Sequence, residues 1–320
     1  MLPIAELVDF SRTLDDDGRS PLADAAAKAW GVGRPRFVRS SASHVFVAPR
    51  DDESGGRVVL RMRPDSEHNR TVLERGARAT ASWFAADAPV ANAVASTSGH
   101  FTQSVDGYVV QTLVAAEGEQ LEGREDLPEH AAAWGEALAR VHLTGHGVVG
   151  VPHAVDLLSL ESHGVADDEA ATLAVLMTRR LAELPRTPDV HGVIHGDAEA
   201  DNAVLTEGGV VLVDPDEVRR GWFVADVAFA LRDWGTVSGG VDLDAEVPRR
   251  FLEGYHRVRT LSDEELGWLP LMAQASAVEQ LLRLEMHVTA QPQPDWPDWA
   301  LDLDQRVRTL TEALRAGLTA

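Results

Sequence analysis

The stretch from His195 to Asp216 holds the residues whose types and spacing point most directly to chemistry. It reads His195-Gly196-Asp197-Ala198-Glu199-Ala200-Asp201-Asn202, then two apolar runs joined across Gly208-Gly209, then Asp214-Pro215-Asp216. Apolar runs on either side of a Gly-Gly pair are a β-hairpin signal. With the turn centred there, paired residue numbers sum to about 416 or 417, so Asn202 lies across from Asp214 or its neighbour. Such a hairpin brings an amide oxygen and a carboxylate together at its open end, with Asp197 on the loop just before. Two hard oxygen ligands beside a third carboxylate suit Mg²⁺, which keeps several waters and takes the rest of its shell from phosphates. Asn and Asp are also ordinary turn and cap residues, and spacing alone leaves both readings open.

The elements that must position these groups fall into two sets. In the first third, Ser11 to Trp30 reads as a helix with Pro21 near its start. Phe37–Val38 and Val45–Val47 read as strands around Ser40–Ser43, with His44 beside that turn. Arg57 to Met62 alternates as a strand, with Val58, Leu60 and Met62 on one face and Val59 and Arg61 on the other. A helix is expected over Asp65–Ala85 on the stripe Leu73, Ala77, Thr80 and Phe84, then a strand over Tyr108–Val114. Beyond Gly118 the pattern turns helical. Leu127–Thr144 carries Trp134, Leu138 and Val141 on one stripe and stops at Gly145. A second helix is expected from Asp168 to Leu184, and more from Ala225 onward, broken by a loop over Gln291–Trp299. Asp15–Asp17 and Asp51–Glu53 read as solvated loops, and Glu161–Glu169 as loop and helix start. The expected organisation is a strand-rich lobe over 1–113, a hinge over 114–118 and a helical lobe over 119–320.

Composition removes whole classes of function. The 320 residues include 51 acidic and 29 basic side chains, a net charge of −22, and no cysteine. No thiol nucleophile, disulfide framework or cysteine-ligated metal is possible. A surface this acidic repels phosphate backbones and anionic lipid, so neither nucleic acid nor membrane is an expected partner. With no signal-like start and no apolar run near 18 residues, a cytoplasmic chain is expected, as monomer or homodimer. Lys28 is the only lysine, so chemistry that needs a cation must use arginine or a metal. His191 and His195 are four apart, but Gly192 and the Val-Ile run argue for a strand rather than a helical zinc face.

The ordered set His-Gly-Asp-x-x-x-x-Asn, hairpin, Asp-x-Asp resembles the catalytic core of the aminoglycoside phosphotransferase (phosphotransferase enzyme) family. The resemblance extends over most of the chain. It takes in Val58 to Pro64, Pro89 to Gly107, Trp134 to His142 and Gly221 to Ala228. It implies an α+β, two-lobed, protein-kinase-like fold with nucleotide held between the lobes. The implied activity is Mg²⁺-dependent transfer of the γ-phosphoryl group of ATP, with GTP still open, to a hydroxyl of a small molecule.

Carried over position by position, Asp197 resembles the aspartate that orients the acceptor hydroxyl and takes its proton. Asn202 and Asp214 match the Mg²⁺ ligands. Asp216 either assists the metal through water or holds the loop, and His195 packs the loop rather than acting as a base. Asp226 either caps its helix or anchors the catalytic loop from behind. Arg61 stands where kinase-like folds place a phosphate-binding lysine, with Glu74 as its expected partner and Glu67 as the alternative. Arginine reads phosphate as a fork and can do this work; the other reading is a solvated strand-end cation. Val59 would cover the adenine, and backbone groups of Val114 and Ala116 would contact it. Asp295 and Trp296 form either an acidic, aromatic grip on a cationic acceptor or a simple turn before an Asp298 helix cap. Two rival functions share these motifs: a nucleotide-binding pseudokinase and a protein Ser/Thr kinase of the stress-response type.

Overall fold

A computed structural model describes residues 1–50, 55–158, 168–236, 240–288 and 292–319. The acidic stretches at 51–53 and 161–167, expected above as loops, lie outside the described residues. The chain divides into two units, Met1–Glu117 and Gly118–Ala320.

The first unit is built on an antiparallel sheet in the order β1-β2-β3-β5-β4. Its strands are β1 (Arg36–Ser40), β2 (His44–Pro49), β3 (Arg57–Pro64), β4 (Thr102–Val105) and β5 (Tyr108–Val114). Helices α1 (Ile4–Ser11), α2 (Pro21–Trp30) and α3 (Glu67–Ala85) accompany it. The expected helix over Ser11–Trp30 is therefore two helices with a loop between them. Asp15 Oδ1 accepts the backbone N–H of Asp17 and Arg19, a side-chain turn that competes with helix. Pro21, whose missing N–H costs nothing at a helix start, begins α2.

Alternation along β3 decides what each face meets. Val58, Leu60 and Met62 join Phe46, Val110 and the alanine-rich face of α2 in one buried cluster. On the opposite face Ala77 of α3 packs with Leu113 of β5. Helix α3 begins at Glu67 because the Ser66 side chain accepts the Asn69 N–H. Trp83, not Phe84, completes its buried stripe, and Phe84 is left half exposed. The Ser40–Ser43 turn does not present His44 to a ligand: that ring is buried, stacked 3.6 Å from Phe10, and bonded to Ser40 and Glu6.

The second unit contains β6 (Gly118–Gln120), α4 (Leu127–Thr144), α5 (Asp168–Ala182), β7 (His191–Ile194), β8 (Ala203–Thr206), β9 (Gly209–Leu212), β10 (Arg219–Trp222) and α6 (Phe223–Ala230). Then come α7 (Glu246–His256), α8 (Asp263–Leu266), α9 (Leu269–Val288) and α10 (Asp298–Thr319). Strand β8 sits between β6 and β9, and β7 pairs with β10. Gly118 permits the first contact, since a Cβ there would lie 1.9 Å from the Leu205 carbonyl oxygen. Helices α4 and α7 approach through Gly135 and Gly254. A Cβ on either would lie 2.0 or 1.8 Å from the backbone oxygen of Phe251 or Ala132.

The hairpin forms one step away from the expected register. Thr206 pairs with Gly209 and Ala203 with Leu212, so the turn centres on Glu207-Gly208. Val213 N–H then donates to the Asn202 carbonyl at 2.9 Å, and Asp214 follows directly.

Candidate active site

Strand β7 ends at Ile194 and releases the loop that carries Asp197. Gly196 turns that loop with φ +85°, and a Cβ there would lie 2.1 Å from the Glu217 carbonyl oxygen. Only glycine meets both demands cheaply. Behind the loop, Asp226 accepts the N–H of His195 at 2.7 Å and of Gly196 at 2.8 Å. Asp226 thus lies within the first turn of α6 without capping it, and holds the loop backbone instead. Trp134 of α4 adds a bond from its indole N–H to the Ala198 carbonyl at 3.1 Å. The His195 ring is buried, and burial lowers its pKa.

Asn202 is brought to Asp197 by the short turn Ala200–Asn202. Its Nδ2 donates to the Asp197 backbone oxygen and to Asp197 Oδ2, both at 3.0 Å. Its Oδ1 is buried and has no hydrogen-bond partner among the described residues. A buried amide oxygen left unpaired costs free energy unless a ligand takes it. Asp214, at the far end of the hairpin, has φ +62°, a left-handed conformation that non-glycine residues seldom adopt. Asp216 is buried in the turn Pro215–Glu217 that follows.

The carboxylates repel one another. Burial, then Glu199, Asp214, Glu217 and Asp201, raises the Asp197 pKa well above the usual carboxylate range. Burial also pushes Glu199 up to about 7, helped by Asp201 and Asp233 and opposed by its ion pair with Arg232. A divalent cation is the group that would relieve this repulsion. Among the described residues no three acidic or histidine side chains converge on one point. A cation here would take Asn202 Oδ1 and an Asp214 carboxylate oxygen from the protein, and its remaining ligands from water and phosphate.

A second charged group borders the loop. Arg283 of α9 grips Glu217 with both nitrogens, at 2.7 and 2.6 Å, and also meets Glu279. Burial works against the Arg283 charge, but Glu279 and Glu217 outweigh it and raise its pKa. Arg219 bonds Glu279 at 2.9 Å and the Gly196 carbonyl at 3.4 Å. Glu199, Glu217, Arg219, Glu279 and Arg283 were not singled out by the sequence reading. Glu199 stood inside the motif, two residues past Asp197; the others become legible only once α9 is packed against the turn.

In the first unit, Arg61 and Gln111 are register partners on β3 and β5, and Arg61 Nη1 reaches Gln111 Oε1 at 3.4 Å. Gln111 in turn donates to the Leu73 carbonyl of α3 at 3.0 Å. Arg61 is buried, which removes the solvated-cation reading. Glu74 does not serve as its partner. The Glu74 oxygens go to Arg78 and Thr102, each at 2.8 Å, because Glu74 and Arg78 lie one turn apart on the same face of α3. Val59 shares the Arg61 face of β3 and is partly exposed. Val114 N–H is taken by the Asn92 carbonyl at 2.8 Å, and the Ala115 N–H by Arg57. Near the C-terminus Trp296 is buried whereas Asp295 is exposed. Helix α10 starts at Asp298 itself, which places the residue inside the first turn.

Comparison with known proteins bears on what this geometry does. The sequence profile of the phosphotransferase enzyme family matches residues 34–261. A homoserine kinase of Methylobacillus flagellatus is 29% identical over 206 residues, 59% of this chain and 61% of that protein. One from Bradyrhizobium sp. is 34% identical over 193 residues, 55% of this chain and 59% of its own length. The matched region spans about three fifths of those relatives' length. Among solved structures, an amicoumacin kinase in complex with AMP-PNP and Ca²⁺ superposes with a TM-score of 0.69 at 17% identity, over 95% of each chain. A microcompartment-associated aminopropanol kinase gives 0.68 at 17% identity, over 92% of this chain and 94% of its own. These structural likenesses establish a shared kinase-like α+β fold. No helix of the described residues is long and apolar enough to cross a membrane.

Proposed function

This chain belongs to the phosphotransferase enzyme family, and on that premise we propose that it moves the γ-phosphoryl group of ATP to a hydroxyl of a small molecule. The observation that carries the reading is the double use of Asn202. Its amide nitrogen holds Asp197, and its buried oxygen is left for a cation. Asn202 and Asp214 would hold Mg²⁺, which when bound draws the nucleotide phosphates in and neutralises charge on them. Asp197 accepts the proton of the acceptor hydroxyl as its oxygen bonds to the γ-phosphorus and the bond to ADP breaks.

On the nucleotide side, Arg61 supplies the phosphate-binding cation that the chain's single lysine does not. Val59 covers the base. The Val114 carbonyl and the Ala116 N–H are the hinge groups that meet it, since the Val114 N–H is already used.

The acceptor is proposed to be an amine-bearing hydroxyl compound, such as an amino alcohol or a hydroxy amino acid. The carboxylates of Glu199, Asp201 and Glu217 around Asp197 favour a cationic group over an anionic one. The relatives named as homoserine and aminopropanol kinases point the same way. Of the two residues expected to grip the acceptor, Asp295 is the one exposed to meet it. The test is incubation with ATP and Mg²⁺ against a panel of amino alcohols, hydroxy amino acids, aminoglycosides, anionic sugars and protein, read by ³¹P spectroscopy. A new phosphate monoester on an amine-bearing compound is the expected product. A monoester on an anionic sugar would overturn the acceptor class alone. Labelled protein would favour the protein-kinase reading, and no ATP consumption under any condition would favour the pseudokinase.

A further inference from the structure

A directed chain of hydrogen bonds runs from α7 to the loop that carries Asp197. Arg259 Nη1 reaches the Tyr255 hydroxyl at 3.4 Å, and that hydroxyl meets His142 Nδ1 at 2.7 Å. His142 Nε2 meets Asp226 Oδ2 at 3.0 Å, and Asp226 receives the His195 and Gly196 amides. His142, Tyr255, Asp226 and His195 are each no more than 1% exposed, so water does not compete for the links among them.

The two ends fix the direction. A guanidinium can only donate and an ionised carboxylate can only accept. Tyr255 therefore donates its proton to His142 Nδ1, and His142 donates from Nε2 to Asp226. The imidazole is neutral, with its proton on Nε2. Its surroundings agree: burial, with Arg259 adding to it, lowers the His142 pKa against the pull of Asp226. The His142 ring also faces Phe223, at 4.9 Å, and Tyr255. It lies close enough to the buried His195 for the two imidazoles to interact electrostatically. Asp226 stays ionised despite its burial because His142 and the loop amides bond it. A protonated His142 would donate at both nitrogens and leave the Tyr255 proton buried without an acceptor, which is costly.

The helix crossing makes this reach possible. Tyr255 follows Gly254, which lies against the Ala132 backbone where a Cβ would be 1.8 Å from an oxygen. Gly135 lets the Tyr255 backbone come close to α4, since a Cβ there would lie 3.0 Å from the Tyr255 nitrogen. From that position the Tyr255 hydroxyl reaches His142 in the last turn of α4.

We propose that Tyr255 is a positioning residue for phosphoryl transfer, acting through His142 and Asp226 to hold the backbone amides of His195 and Gly196 and thereby the placement of Asp197. The kinetic part of this inference rests on the role proposed for Asp197; the structural part does not.

The experiment has three arms on the full chain. In the parent, ¹⁵N-histidine spectra should show His142 with Nε2 protonated and Nδ1 acting as acceptor, unchanged between about pH 6 and 8. A proton on Nδ1, or titration across that range, would overturn the chain's direction and the proposal with it. In Tyr255→Phe, amide exchange at His195 and Gly196 should quicken by up to on the order of tenfold, the weight of one buried hydrogen bond, while β3 amides keep the parent rate. Parent-like exchange at both amides, or a uniform rise across the molecule, would reduce Tyr255 to a packing role. Should that variant not fold, His142→Gln carries the same comparison. In the kinetic arm, kcat should fall while the KM for ATP holds; a change confined to the ATP KM counts against positioning. If the parent itself consumes no ATP, the phosphotransfer reading fails while the spectra and exchange still decide the positioning claim.

Discussion

Asn202 and Asp197 are joined twice, the amide of one donating to both the backbone oxygen and Oδ2 of the other at 3.0 Å. One side chain thereby aims the proposed base and leaves its own buried oxygen for a cation. The placement of the proposed proton acceptor and of the proposed cation ligand is consequently a single structural event.

Asp197→Asn should separate activity from stability. The amide keeps the shape and can still accept from Asn202, but loss of the base should cost on the order of 10²–10⁴ in turnover. At neutral pH the variant should melt higher than the parent. The folded pKa of Asp197 is raised, so the unfolded chain binds fewer protons once pH passes the ordinary carboxylate value, and stability is lost as pH rises toward the folded pKa. Parent-like turnover, or a lower Tm at neutral pH, would contradict this account of the site.

Asp214→Ala should remove the Mg²⁺-dependent part of the thermal shift caused by ATP. A ligand at about a hundred times its Kd adds roughly 2.7 kcal/mol to the folded state, which a melting curve resolves. The check is a melt with ATP, with and without Mg²⁺, on parent and variant. An undiminished Mg²⁺ effect in the variant would place the cation elsewhere.

Arg61→Ala should weaken ATP far more than adenosine, which has no phosphates to lose. Gln111 should show the change as well, because it links Arg61 to the Leu73 carbonyl of α3. Titration calorimetry with both ligands decides the point. Equal losses would mean that the buried arginine only supports the sheet.

Glu199→Gln should flatten the pH dependence of stability between roughly pH 5 and 8. Burial pushes Glu199 up to about 7, so its folded form favours the proton. The contribution is fully present below the unfolded pKa and is lost as pH rises through the folded one. The parent Tm should therefore drop more than the variant's across this interval. Parallel curves would show that Arg232 keeps Glu199 ionised throughout.

Much of this was legible in the sequence because the determinants are local. Pro21 and Pro128 sit where a missing N–H is harmless and mark the starts of α2 and α4. Alternation sorted the faces of β3, since side-chain direction in a strand repeats every two residues. The hairpin brought Asn202 near Asp214 because a short turn leaves few registers, although Thr206 and Gly209 close it one residue earlier than the Gly-Gly pair suggested. At the end of α3 the same kind of reasoning put Phe84 inside where Trp83 belongs, one residue off in phase.

The partners of the site residues were decided only by tertiary structure. Glu74 met Thr102 across 28 residues of chain, and His142 found Tyr255 across 113 and Asp226 across 84. No window of sequence carries those pairings, and the one between His142 and Tyr255 depends on two helix backbones meeting at Gly135 and Gly254. Periodicity fixes which way a side chain points along its own element. What it meets is set by how closely the next element can approach, and here two missing Cβ atoms set that distance.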